Sequence, residues 1–250
     1  MTTIQLVSLH KLLTADARLK LVNEIINESH ADLILFAGHT LLSKGDVPRL
    51  RKSLKNESSV VLFETKDGGF DHGGNHLYRL DGGKIVDMKS RQLFINSDQI
   101  NKDKGYAFKL LDELEHDTKR HFNVKDKRCI VLQCGELNIL KNYQKDGNRV
   151  AFRYSDDPDL EKRFFDIIDN VDIILNPMHT PMGNQHKLGA RRIFLSKNGR
   201  AYFSTSNALN AKKLTLKYKS LQYALMDGYD LREAEDAICG KSYIIRSYEL

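Results

Sequence analysis

Apolar and polar positions along the chain switch between two periods: alternation, which marks strands, and a three-to-four-residue spacing, which marks helices. Ile4 to Ser8 alternates and predicts an opening strand, and Ala15 to Ser29 carries its apolar residues at helical spacing. Asp32 to Phe36 is a compact apolar strand ending in Ala37, Gly38 and His39, where the chain must leave the sheet. Asp46 to Leu54 predicts a helix, Val60 to Glu64 a strand, and Asp67 to Asn75 a glycine-rich loop. Two strands flank Asp81-Gly82-Gly83, which is hairpin chemistry. Lys102 to His121 reads as one long charged helix, and Arg128 to Gln133 as a buried strand stopping abruptly at Cys134 and Gly135. Leu140 to Pro158 is polar, turn-rich and poorly periodic, and is expected to be a surface insertion. Leu160 to Ile168 predicts a helix and Asp172 to Leu175 a strand; a further helix and strand run through Gly189 to Asn207, and Tyr243 to Tyr248 is extended.

Strands alternating with helices, with no internal repeat or low-complexity stretch, predict one α/β domain over residues 1–250. A hydrophobic content of 41% is enough for a sizeable core. The longest apolar runs, Asp172 to Pro177 and Ile130 to Cys134, fall far short of the roughly 20 residues a membrane helix needs, so no membrane association is expected. Met1 to Leu13 lacks the features of a signal peptide. Cys129, Cys134 and Cys239 form no paired framework, which fits a reducing, cytoplasmic setting. The net charge of +6 comes from 39 basic and 33 acidic residues. The densest basic stretches, Arg49 to Lys55 and Lys212 to Lys219, read as solvated faces before they read as a nucleic-acid surface.

Cys134 stands out among the reactive side chains. A cysteine at the end of a buried strand presents its sulfur into a cleft, and the N–H of a following glycine can approach an oxyanion, as Gly135 can here. The bland alternative is a small buried residue filling space. Cys129 and Cys239 read as structural, and no metal site is expected: the cysteines lack paired spacing, and His179 and His186 lack a third ligand.

Around Cys134 a series of segments resembles the nitrilase, or carbon-nitrogen hydrolase, family. Ala31-Asp32-Leu33-Ile34-Leu35-Phe36 is similar to the strand that delivers that family's catalytic glutamate, and Asn75 to Val86 to the hairpin before its catalytic lysine. Ile130-Val131-Leu132-Gln133-Cys134-Gly135-Glu136 resembles the strand and elbow of its nucleophile. Asp172-Ile173-Ile174-Leu175-Asn176-Pro177, and then Arg191-Arg192 through Asn198-Gly199 to Ser206-Asn207, resemble the two segments that follow. The resemblance implies a four-layer αββα sandwich, paired subunits forming a homo-oligomer, no cofactor, and a Glu-Lys-Cys triad hydrolysing a small-molecule amide or nitrile-like substrate through a thioester.

The chain departs from that pattern twice. Ala37 and Gly38 stand where the family has proline and glutamate, and the lysine falls on Lys89, Ser90 and Arg91 before Leu93. Lys89 is the candidate, with Arg91 as its charge equivalent. His39, Glu136 and Glu64 are the candidate replacement bases. Gly135 and Asn176 are implied as pocket backbone positions, and Pro177 to Pro181 as a wall in which His179 could touch substrate.

Three other readings stay open. One keeps the fold without the reaction, as a catalytically impaired module that binds a ligand or protein. Another is a metal-dependent phosphoesterase of similar architecture, echoed faintly by Gly38-His39 and Gly74-Asn75-His76 but lacking the metal-binding aspartate and a late His-x-His pair. The third is a basic nucleic-acid-associated module using Lys212 to Lys219.

Overall fold

The computed structural model describes residues 1–66, 75–116, 119–181, 184–208 and 220–250. The glycine-rich loop at 67–74, with the Gly74 of the phosphoesterase echo, and the basic stretch at 212–219 lie outside the described residues.

Two sheets dominate. The first contains β1 (Thr3–Leu9), β2 (Leu33–Phe36), β3 (Val60–Lys66), β4 (Asn75–Asp81) and β5 (Lys84–Asp87). The second contains β6 (His121–Val124), β7 (Lys127–Val131), β10 (Ile173–Met178), β11 (Ala201–Ser206), β12 (Gln222–Met226) and β13 (Tyr229–Asp230). β8 (Leu140–Tyr143) and β9 (Arg149–Phe152) form a separate hairpin, and β14 (Ile238–Cys239) and β15 (Tyr243–Glu249) return to the first sheet beside β1. β1, β2 and β3 run parallel in one sheet, as do β7, β10 and β11 in the other. Parallel neighbours need crossovers, supplied by helices α1 (Ala15–Glu28), α2 (Asp46–Ser53), α5 (Pro158–Asp169) and α6 (Gln185–Leu195). α3 (Ser97–Lys102) and α4 (Gly105–Glu115) precede β6.

Side-chain alternation sorts the strands into layers. Ile4, Leu6, Leu33, Leu35 and Leu62 of the first sheet meet Cys129, Val131, Ile173, Leu175 and Phe203 of the second in one buried cluster. The opposite faces, carrying Val7, Ile34, Phe36, Val61 and Phe63 on one side and Ile130, Leu132, Ile174 and Tyr202 on the other, pack under helices. The result is the expected αββα sandwich.

Two sequence expectations change. Lys102 to His121 is not one helix: Asp103 accepts a hydrogen bond from the Gly105 N–H at 2.7 Å and breaks α3 from α4, and the segment ends in β6, paired antiparallel with β7. Leu140 to Pro158 is more than a polar surface insertion, because the β8–β9 hairpin buries Leu140 and Phe152 in the helix-side core. Among the described residues no helix is long and apolar enough to cross a membrane.

Candidate active site

Each strand of the parallel sets ends at the same edge of the sandwich, and the inward-facing positions there turn from apolar to polar. On β3 the inward series Leu62 leads to Glu64; beyond β7, Val131 leads to Gln133; beyond β10, Leu175 leads through Pro177 to His179. Glu64 Oε2 lies 2.9 Å from His179 Nε2, and Glu64 Oε1 accepts from Gln133 Nε2 at 2.8 Å. One carboxylate thus joins two elements of the opposite sheet. Asn75, at the start of β4, has its amide 2.8 Å from His179 Nε2 and 3.4 Å from His39 Nε2. The His39 and His179 rings stack with centroids 3.7 Å apart and planes at 11°. Cys134 is near enough to His179 for the two side chains to interact electrostatically.

Close packing at Gly38 makes this arrangement possible. A Cβ there would lie 2.3 Å from His179 Cδ2 and 3.0 Å from Glu64 Oε2. The imidazole fills the space beside the position where the family resemblance places a glutamate. Gly38 N–H also donates to the Met178 carbonyl at 3.0 Å, and Asn207 Nδ2 donates to the Gly38 carbonyl at 2.6 Å, so the end of β2 is tied to the ends of β10 and β11.

Cys134 has φ +34, an uncommon conformation for a residue with a side chain, with a cost of order 1–3 kcal/mol. The following Gly135 is required sterically, since a Cβ on it would lie 2.0 Å from the Ile95 carbonyl oxygen. The strained turn is held by Glu136. Its carboxylate accepts from the Gln133 and Leu93 N–H groups, each at 2.7 Å, and pairs with both terminal nitrogens of Arg120. Glu136 and Arg120 are fully buried, and Arg120 also binds Glu113 and the Arg91 carbonyl. Removing one partner would leave a buried unpaired charge, a loss of about 3–5 kcal/mol.

Electrostatics shift the titration of the buried groups. Burial works to lower the His179 pKa, but the charges and hydrogen bonds of Cys134 and Glu64 raise it to about 10. Burial works to raise that of Glu64, yet His179 and the bond from Gln133 hold it below the ordinary glutamate value. His39 is pushed down to about 4, by burial and then by the charge of His179. Burial drives the Cys129 thiol up to about 12, which fits a structural role.

The structure therefore brings together Cys134, His39 and His179 with Glu64, and leaves the other sequence candidates elsewhere. Glu136 is a correction: its four acceptor contacts are spent on the elbow and Arg120, which leaves it a clamp and not a free base. Lys89 and Arg91 are a second correction. Both are exposed, with the buried Ser90 between them donating to Glu113 at 2.8 Å, because alternation turns only the middle residue inward. Asn176 faces the helix side, donating to the Leu132 carbonyl and accepting from Tyr202 at 2.9 Å. Gly135 follows Cys134 in the turn that Glu136 holds. Gln133 and Asn75 were missed as site residues, although the alternation on β7 marks Gln133 as inward-facing. Among the described residues no group of three or more His, Cys, Asp or Glu side chains is placed to hold a metal ion.

No protein-family model matches the sequence, and no curated protein matches it by sequence. Solved structures do match in shape. The amidase from Nesterenkonia sp. AN1, as a glutamate-to-glutamine variant showing Michael addition of acrylamide at its active-site cysteine, aligns with TM-score 0.55 and 11% identity over 100% of this chain and 93% of that one. A CN-hydrolase superfamily protein from Xanthomonas campestris with an arsenic adduct in its active site aligns with TM-score 0.54 and 10% identity over 99% and 90%. The chain has the CN-hydrolase fold. A glutamine-dependent NAD(+) synthetase from Cytophaga hutchinsonii matches 92% of this chain at TM-score 0.50, over 40% of its own length. Within the CN-hydrolase fold, this chain has glycine in place of the expected glutamate and an imidazole in the adjoining space.

Two outcomes follow from these contacts. His179 binds its proton more tightly folded than unfolded, so its stabilisation is complete below about 6.5 and is lost as pH rises through about 10. His39 is the reverse: its contribution is present above about 6.5 and lost as pH falls toward about 4. Urea midpoints are expected to peak between these limits, and His179→Gln should flatten the alkaline limb; an unchanged alkaline limb would contradict the assignment. Gly38→Ala should displace the imidazole and slow Cys134 alkylation at neutral pH by roughly 10- to 100-fold with far-ultraviolet dichroism intact. A rate equal to that of the unaltered protein would show that the space beside Gly38 does not matter.

Proposed function

We propose that the chain is a divergent carbon-nitrogen hydrolase in which Cys134 attacks an amide-type carbonyl, with His179 as proton carrier and Glu64 as the group that orients and charges it. The observation that carries this is the His179 imidazole, which interacts electrostatically with Cys134 and lies 2.9 Å from the fully buried Glu64. A cationic imidazole beside a thiol favours the thiolate, which is the nucleophilic form. The fold supports the general kind of chemistry, and the cysteine adducts of the amidase neighbour support the nucleophile.

The steps balance without an external reagent. The Cys134 thiolate adds to the carbonyl carbon, and the resulting oxyanion lies close to the Gly135 N–H. His179 gives its proton to the nitrogen, the C–N bond breaks, and an amine leaves a thioester on Cys134. Water then attacks the thioester as His179 takes one of its protons, and release of the carboxylic acid restores the thiolate and imidazolium. Glu64 stays ionised throughout, and with Nε2 held by Glu64, Nδ1 is the nitrogen left for the sulfur and the leaving group.

Aliphatic amides and nitriles are the substrates to screen, with intact-mass detection of the acyl-enzyme. Cys134→Ala should abolish both turnover and adduct, and His179→Gln should lower kcat by roughly 10²- to 10⁴-fold. Alkylation gives a substrate-free reading: Cys134 should react faster than the exposed Cys239 at neutral pH, and His179→Gln should remove that advantage. If Cys134 reacts no faster than Cys239 and no amide is turned over, the fold serves as a binding module instead.

A further inference from the structure

His39 is held more firmly than its place in a connecting segment requires. Its φ of +57 lies in the left-handed region, which residues with a side chain enter at a cost. Backbone contacts on both sides fix it there. Its N–H donates to Glu64 Oε2 at 3.4 Å, and its carbonyl accepts from Arg18 Nη1 at 3.1 Å. Arg18 comes from α1 and is 1% exposed, and its other terminal nitrogen donates to the carbonyls of His10 and Lys11 at 2.7 and 3.2 Å. A buried guanidinium directed at three carbonyls locks the turn after β1 to the turn after β2.

The ring is used in an unusual way. It lies face to face with His179, and its Nε2 meets Asn75 Oδ1. Near-parallel rings 3.7 Å apart cannot pass a proton between them, because an imidazole accepts only along the in-plane lone pair of its nitrogen. A flat uncharged ring can still fix the plane of a cationic one by contact and by π attraction.

We infer that His39 is a positioning residue, a neutral aromatic plate that fixes the plane of the His179 ring against Cys134 and Glu64, and is not the base that deprotonates the thiol. This rests on the reading of Cys134, His179 and Glu64 given above. The surroundings of His39 favour the neutral ring. Burial, the charge of His179 and the charge of Lys66 all oppose protonation, and Glu64 and Asn75 only partly offset them.

The test compares His39→Phe, which keeps a flat ring without nitrogen, with His39→Asn, which tolerates the left-handed backbone but removes the plate, and with His179→Gln. The readout is the pH profile of Cys134 alkylation. His39→Phe is expected to stay within about twofold of the unaltered protein with the same profile, and His39→Asn to lose about tenfold in rate with a profile that approaches that of His179→Gln. A His39→Phe profile that matches His179→Gln in a folded protein overturns the inference. The unaltered protein gives an independent reading that does not depend on any variant folding. His39 ring resonances that remain those of a neutral imidazole across the alkylation midpoint support the plate, and resonances that titrate with the rate overturn it. If His179→Gln leaves alkylation unchanged, the underlying reading of the site fails whatever His39 does.

Discussion

A carboxylate at an inward-facing position of a two-sheet sandwich must find its counter-charge on the opposite sheet, and Glu64 finds it in His179. Desolvation would otherwise make the charged form of each group untenable. Together, with Gln133 on the second carboxylate oxygen, they form a polar end to an otherwise apolar layer that runs from Leu62 and Leu35 to Val131 and Leu175. The need for glycine at position 38 and the stack with His39 both follow from where that contact holds the imidazole.

A separate network holds the turn at Cys134. Cys134 sits at a strained turn whose geometry is imposed by the Glu136 carboxylate and the buried Arg120, and that network also reaches the segment containing Ser90 and Arg91. The backbone at Cys134 and the imidazole beside it are therefore held by different residues: Glu136 and Arg120 for the first, Glu64 for the second. In the family pattern that the sequence resembles, a glutamate follows the strand here ending at Phe36; in this chain an imidazole from the end of β10 fills the neighbouring space because Gly38 leaves it open.

Much of the fold was legible in the sequence, since strand and helix periods are local and the segments around Cys134 carried the family resemblance. The break at Asp103 and the burial of the β8–β9 hairpin were not, because the first depends on one side-chain cap and the second on two apolar residues in a polar stretch. For the site, Cys134, His39 and His179 were all singled out, and Glu64 was weighed as a base. Their pairing was hidden because it depends on how two sheets stack, and alternation within one strand says which face a residue occupies but not what stands opposite. Glu136 looked available because it adjoins the nucleophile; only the position of Arg120, sixteen residues away, shows that it is already engaged.

The central claim is that His179 is an imidazolium at neutral pH, beside a buried Glu64 on one side and Cys134 on the other. Nitrogen-15 resonances of the His179 ring, assigned by loss in His179→Gln and followed against pH, report it directly. The account predicts two protonated ring nitrogens from mildly acidic pH until about 10. A His179 ring that deprotonates near the ordinary histidine value of about 6.5 would contradict it.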